Sequence, residues 1–150
     1  MLFTLIYNTG ARMSEIINIR VVDVVLDGSP CVHLNGKGRR KRTIPLWKST
    51  VGTIRAWLHT NLNMHGDTAL LGPVGPAYDA SECGATLTLA VNRAAVIQPS
   101  LKGKRVSPHI LRHTTAMHLL QNGVPFNLIA LWHGHESVNT THRYVEANLR

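Results

Sequence analysis

"SPHILRHTTAMHLL", residues 107–120, carries helix signals from its first residue. Ser107 suits the N-cap, and Pro108 follows at the first helical position, where its missing N–H costs nothing. Gly123 marks the end. A helix that only had to pack would place Leu or Ala in its first two turns, yet His109, Arg112 and His113 stand there. Residues three and four apart on a helix are neighbours, roughly 5–6 Å between Cβ atoms, so these three form one polar stripe. Ile110, Leu111, Met117, Leu119 and Leu120 spread around much of the remaining surface, which predicts a helix buried on several sides. A buried Arg112 without a partner would cost several kcal/mol, so it needs a carboxylate or a bound anion. Only Glu136 and Glu146 follow residue 82 as acids, which favours an anion from outside.

Outward from this helix the chain alternates between helical and extended patterns. Residues 1–8 read as the end of a buried helix stopped by Gly10. A second helix is predicted from about Met13 to Ile19, with Ile16, Ile17 and Ile19 inward. Between Asp23 and Leu46 the period changes. "VVDVVL" and "CVHLN" flank the turn "DGSP", and "RTIPL" follows the basic turn "GKGRRK". These predict a three-stranded antiparallel sheet. Helical spacing resumes from Ser49 to about His65, with Val51, Ile54, Trp57, Leu58 and Leu62 inward. Residues 66–82 read as a loop, and Ala85 to Val96 as a helix. "QPSLKGKRV" reads as a basic connector. Pro125 opens a helix to about Trp132, "HGHESVN" breaks it, and a last helix carries Tyr144. The class is mainly α with one small sheet. There are no repeats and no low-complexity segment.

The chain has 150 residues, enough for one compact domain, and 44% of them are apolar, enough for a core. No apolar run approaches bilayer length, and the apolar opening lacks a basic start and a cleavage site, so neither a membrane partner nor a secretory signal is expected. Cys31 and Cys83 stand in no metal or redox spacing and fit a reduced, cytoplasmic setting as packing residues. Sixteen Lys and Arg oppose eight Asp and Glu, a formal charge of +8. "GKGRRKR" (36–42) holds five cations in seven residues and "KGKR" (102–105) three more. Such clusters favour a polyanion, nucleic acid first. Arg39, Arg40, Lys41, Arg42, Lys102, Lys104 and Arg105 are the candidate phosphate contacts.

Chemistry-bearing residues recur along the chain. Arg binds phosphate as a planar fork. Arg12 stands in "NTGARMSEI", just after a helix stop. Lys37 lies between two glycines in a turn. "WHGHESVNTTHRYV" supplies His135 and, nine residues later, Tyr144. Together with His109 and Arg112 they make a set suited to attack on a phosphodiester. Singly, each has a plainer use. Arg12 could meet helix-end carbonyls, Tyr144 could pack on a neighbour, and His113 could be a hydrogen-bonded core residue. Six of nine His lie between 109 and 142, but no Cys or carboxylate completes a zinc set with them, so no metal is expected.

In order and spacing, "TGARMSEI", "GKGRRKRTIPL", "SPHILRHTTAMHLL" and "GHESVNTTHRYV" resemble the catalytic domain of the tyrosine recombinases, the phage-integrase-type site-specific recombinases. The resemblance spans about residues 2–149 and is weakest between 66 and 85. It implies that Arg12, Lys37, His109, Arg112 and His135 surround the scissile phosphate and that Tyr144 is the nucleophile. A tyrosine hydroxyl ordinarily titrates near pH ~10 and attacks as a phenolate only in positive surroundings. Arg12 and Arg112 would clamp the non-bridging oxygens, and Lys37 would protonate the leaving 5′ oxygen. The intermediate would be a 3′-phosphotyrosyl ester, with no cofactor.

The resemblance also implies double-stranded DNA as partner and self-association into tetramers on it. Residues 1–150 would then be a catalytic domain incomplete at both ends, without the family's N-terminal core-binding domain. Position 133 is His where the pattern expects an apolar residue. A non-catalytic DNA-binding remnant of a mobile-element integrase is the alternative function, and a topoisomerase-like relaxing activity is a third.

Overall fold

A computed structural model describes residues 1–36, 38, 40–72 and 80–134, with only the backbone at 80–82. Helix α1 (Leu2–Thr9) ends at Gly10, whose φ of 57° is left-handed and whose N–H closes onto the Ile6 carbonyl at 2.8 Å. Helix α2 (Met13–Ile16) is a single turn, shorter than predicted. Ile16 and Ile19 are buried as expected, while Ile17 is half-buried.

The three-stranded antiparallel sheet forms in the order β1 (Val24–Val25), β2 (Cys31–Asn35) and β3 (Lys41–Pro45), but the first strand is shorter than read because Val21–Asp23 form a 3₁₀ turn, its start closed by the Asp23 carboxylate on the Arg20 N–H. Val32 pairs with Ile44 and Leu34 with Arg42. Side chains alternate across a strand. Val32, Leu34 and Ile44 therefore share the buried face, and Arg42 shares it with them.

Helix α3 (Lys48–Thr60) buries Thr50, Val51 and Ile54. It stops before His65, and Leu62, predicted inward, lies outside it and is 75% exposed. Helix α4 (Ala80–Ile97) begins earlier than the sequence pattern suggested, inside the segment read as a loop. A 3₁₀ turn (Pro99–Leu101) leads to α5 (Pro108–Gln121), where the Ser107 hydroxyl accepts from the Ile110 N–H at 3.3 Å. Helix α6 (Phe126–His133) closes at Gly134, again left-handed with φ 62°. The last helix predicted, with Tyr144, lies outside the described residues.

One core joins α1, α2, the sheet and α3 through Leu5, Ile6, Ile16, Ile19, Val32, Leu34, Ile44 and Ile54. Trp57 and Trp132 pack against it, half-buried. Cys83 is buried in the same core and Cys31 is half-buried. A smaller cluster of Ala116 and Ile129 joins α5 to α6, with Met117, Leu119 and Leu120 against it. Helix α5 departs from the predicted pattern. Its buried residues are Arg112, Thr115 and Ala116, while Ile110 is 43% exposed. The larger apolar chains flank a buried polar seam because that seam meets backbone carbonyls rather than a hydrocarbon wall.

Candidate active site

The last carbonyls of a helix have no partner inside it and carry partial negative charge. At the C-terminus of α1 those carbonyls are met from α5 and α6. The Thr115 hydroxyl donates to the Tyr7 carbonyl at 2.9 Å. The Trp132 indole N–H donates to Asn8 at 3.3 Å. Arg112 Nη1 donates to Gly10, and its Nη2 donates to the His133 carbonyl at 2.6 Å. Arg112 thus lies between the ends of α1 and α6, 5% exposed. Two helix C-termini supply part of the negative field that the sequence reading sought in a carboxylate or an outside anion, and the Glu15 carboxylate lies within electrostatic reach of the same guanidinium.

This arrangement brings distant parts of the sequence together. Arg112 from α5 touches the carbonyl two residues before Arg12 and the carbonyl two residues before His135. Arg12 itself is exposed, and its backbone N–H donates to Glu15 Oε2 at 2.7 Å. His109 is exposed one helical turn before Arg112, and His113 is half-buried. Lys37, Arg39, His135 and Tyr144 lie outside the described residues.

Arg42 is a correction. Expected among the phosphate-steering cations, it instead forks onto Glu15, Nη1 to Oε1 at 2.5 Å and Nη2 to Oε2 at 2.8 Å. Its Nε donates to the Trp132 carbonyl at 3.0 Å. Sequence reasoning missed this pair. The signals were an acid three residues after Arg12, at the position where Glu caps a helix start, and the place of Arg42 two residues before inward Ile44. Burial pushes the Glu15 carboxyl up. Hydrogen bonds from Arg42 and the Arg12 N–H, with the charges of Arg42 and Arg112, outweigh that and hold its pKa below the usual value.

His133, the departure noted at position 133, is fully buried against Gly10. A Cβ on Gly10 would sit 2.1 Å from the His133 Nε2. Glycine there therefore provides both the left-handed turn and the space for the imidazole. The remaining candidate phosphate contacts among the described residues, Arg40, Lys41, Lys102, Lys104 and Arg105, are all exposed. The described helices include none long and apolar enough to cross a membrane.

Across the whole chain, residues 1–150, the sequence matches the family model described as the phage integrase family. The chain belongs to the phage integrase family. Within it, the chain is 43% identical over 143 residues to a Sinorhizobium fredii protein named as an integrase/recombinase, y4rC, covering 94% of this chain and 42% of that one. It is 32% identical to the tyrosine recombinase XerC of Chlamydia trachomatis, over 99% of this chain and 46% of the relative. The crystal structure of XerA recombinase superposes with a TM-score of 0.80 at 29% identity, over 94% of this chain and 49% of that one. The integrase-family chain thus spans less than half the length of these relatives, and its mostly helical fold with a three-stranded sheet is that of their catalytic domains.

Proposed function

We propose that this chain is the catalytic domain of a site-specific DNA recombinase or integrase of a mobile element, cutting and rejoining DNA through Tyr144. One observation carries the reading. Arg112 bridges the Gly10 and His133 carbonyls and so ties the motifs around Arg12 and Arg112 to the residue that immediately precedes the Tyr144 motif. The carbonyls fix the plane of its fork, which is the preorganisation that stabilising a phosphoryl transition state requires.

In the proposed reaction the Tyr144 oxygen bonds to phosphorus while the bond to the 5′ oxygen breaks. The tyrosine proton leaves, His109 and His135 assisting, and Lys37 delivers a proton to the 5′ oxygen. Arg12 and Arg112 hold the non-bridging oxygens. The 3′-phosphotyrosyl ester conserves the energy of the broken phosphodiester bond, so attack by a DNA 5′ hydroxyl reverses the step, releasing Tyr144, without any cofactor. Arg40, Lys41, Lys102, Lys104 and Arg105, with Arg39, would contact duplex phosphates, and copies of the protein would associate on the DNA in the bacterial cytoplasm.

A duplex nicked beside the cleavage position tests this, because the short fragment diffuses away and traps the enzyme. The expected result is a covalent protein–DNA adduct with the unmutated chain and none with Tyr144→Phe. DNA binding without an adduct would favour the non-catalytic remnant. Relaxation of supercoiled plasmid without sequence preference would favour the topoisomerase-like activity.

A further inference from the structure

Arg42 and Glu15 form a largely buried ion pair, their side chains 14% and 4% exposed. Replacing such a pair by apolar residues is often neutral or stabilising, so stability alone does not account for it. Its contacts indicate another use. Glu15 caps the Arg12 N–H, and Arg42 holds the Trp132 carbonyl in the last turn of α6. Two glycines leave the space that the pair occupies. A Cβ on Gly36 would lie 3.1 Å from Glu15 Oε1, and one on Gly134 would lie 2.9 Å from Arg42 Nη1. Gly36 precedes Lys37 in the chain, and Gly134 precedes His135. Three segments that carry candidate catalytic residues therefore rest on a single planar fork.

We propose that Arg42 is a positioning residue, whose three directed hydrogen bonds hold the Arg12 turn, the β2–β3 hairpin and the α6 terminus in mutual register for DNA cleavage. The inference rests on the proposed cleavage activity. An apolar pair could fill the same space but could not aim bonds at Glu15 and Trp132 together. Lysine could keep the charge but not the fork.

The test uses the full chain on the nicked duplex. Arg42→Lys is expected to bind DNA with unchanged affinity and salt dependence, yet to form adduct about 10²-fold more slowly at saturating DNA, as a misplacement of about 1 Å would cause. Methylguanidinium added to Arg42→Ala should restore part of the rate by refilling the fork. If Arg42 were a phosphate contact, the slope of log affinity against log salt would shrink by about one and the cleavage rate at saturation would persist. That result overturns the inference, as does a folded Arg42→Lys that cleaves at the unmutated rate. If Arg42→Lys fails to fold, the isosteric Glu15→Gln carries the same comparison. No adduct from the unmutated chain overturns the cleavage reading and this inference together, whereas the other contrary results overturn this inference alone.

Discussion

The seam where α1, α2, the hairpin and α6 meet holds Arg42 and Arg112 inside the protein, while the stretches 40–41 and 102–105 hold their cations outside. Every described lysine is exposed. The difference shows what a guanidinium can do that an ammonium does less well. Its weaker hydration and planar donors let it enter a protein where helix-end carbonyls converge. Inside, the cation organises backbone. Outside, it contributes field. A basic composition alone does not say which role each residue has.

The sharpest way to break this contrast is to remove Arg112. Arg112→Ala leaves the Gly10 and His133 carbonyls without their donor. By analogy with breaking a buried pair it should cost about 3–5 kcal/mol in urea melts and abolish adduct formation. A loss below about 0.5 kcal/mol, typical of surface changes, would mean the seam does not depend on it.

Next in size is Gly10→Ala. It forces a left-handed backbone onto alanine and a methyl group into His133, so it should cost more than about 1 kcal/mol. Gly123, with φ 78° but open space around it, separates the two causes. Gly123→Ala should cost less than Gly10→Ala in the same melts.

Acid sharpens the picture of the seam. The Glu15 pKa is depressed on folding, so its stabilising contribution is present above the unfolded carboxylate pKa and is lost as pH falls through the folded value. Urea melts across the acid range should show stability falling as pH falls. Glu15→Gln should flatten that dependence. An equal slope in both proteins would contradict the pair's role.

The smallest effect on folding belongs to the outer cations. Lys104→Ala and Arg105→Ala should change stability by less than about 0.5 kcal/mol. Each should reduce the salt slope of DNA binding by about one if it meets a phosphate.

Much of this was legible in the sequence, for reasons visible in particular residues. Gly10 stops α1, Ser107 and Pro108 start α5, and the run after "DGSP" makes a full strand, while the run before it gives only Val24–Val25, because these signals act locally. Two kinds of feature were not legible. The burial pattern of α5 was misread because its seam faces backbone carbonyls, which leave no trace in side-chain periodicity. Arg42 was misassigned because a cation beside other cations looks solvated. Its register with Leu34 and Ile44 placed it inside, and its acid partner lies 27 residues earlier in the chain. Local signals set the elements. Which cations become structural depends on contacts made only after the elements meet.

The most direct test of the functional account is to trap the chain on a nicked duplex, digest the complex with protease and identify the DNA-linked peptide by mass spectrometry. The account predicts a single phosphodiester link, 3′ on the DNA, to the peptide containing Tyr144. A link to any other residue, or a 5′ attachment, would contradict it.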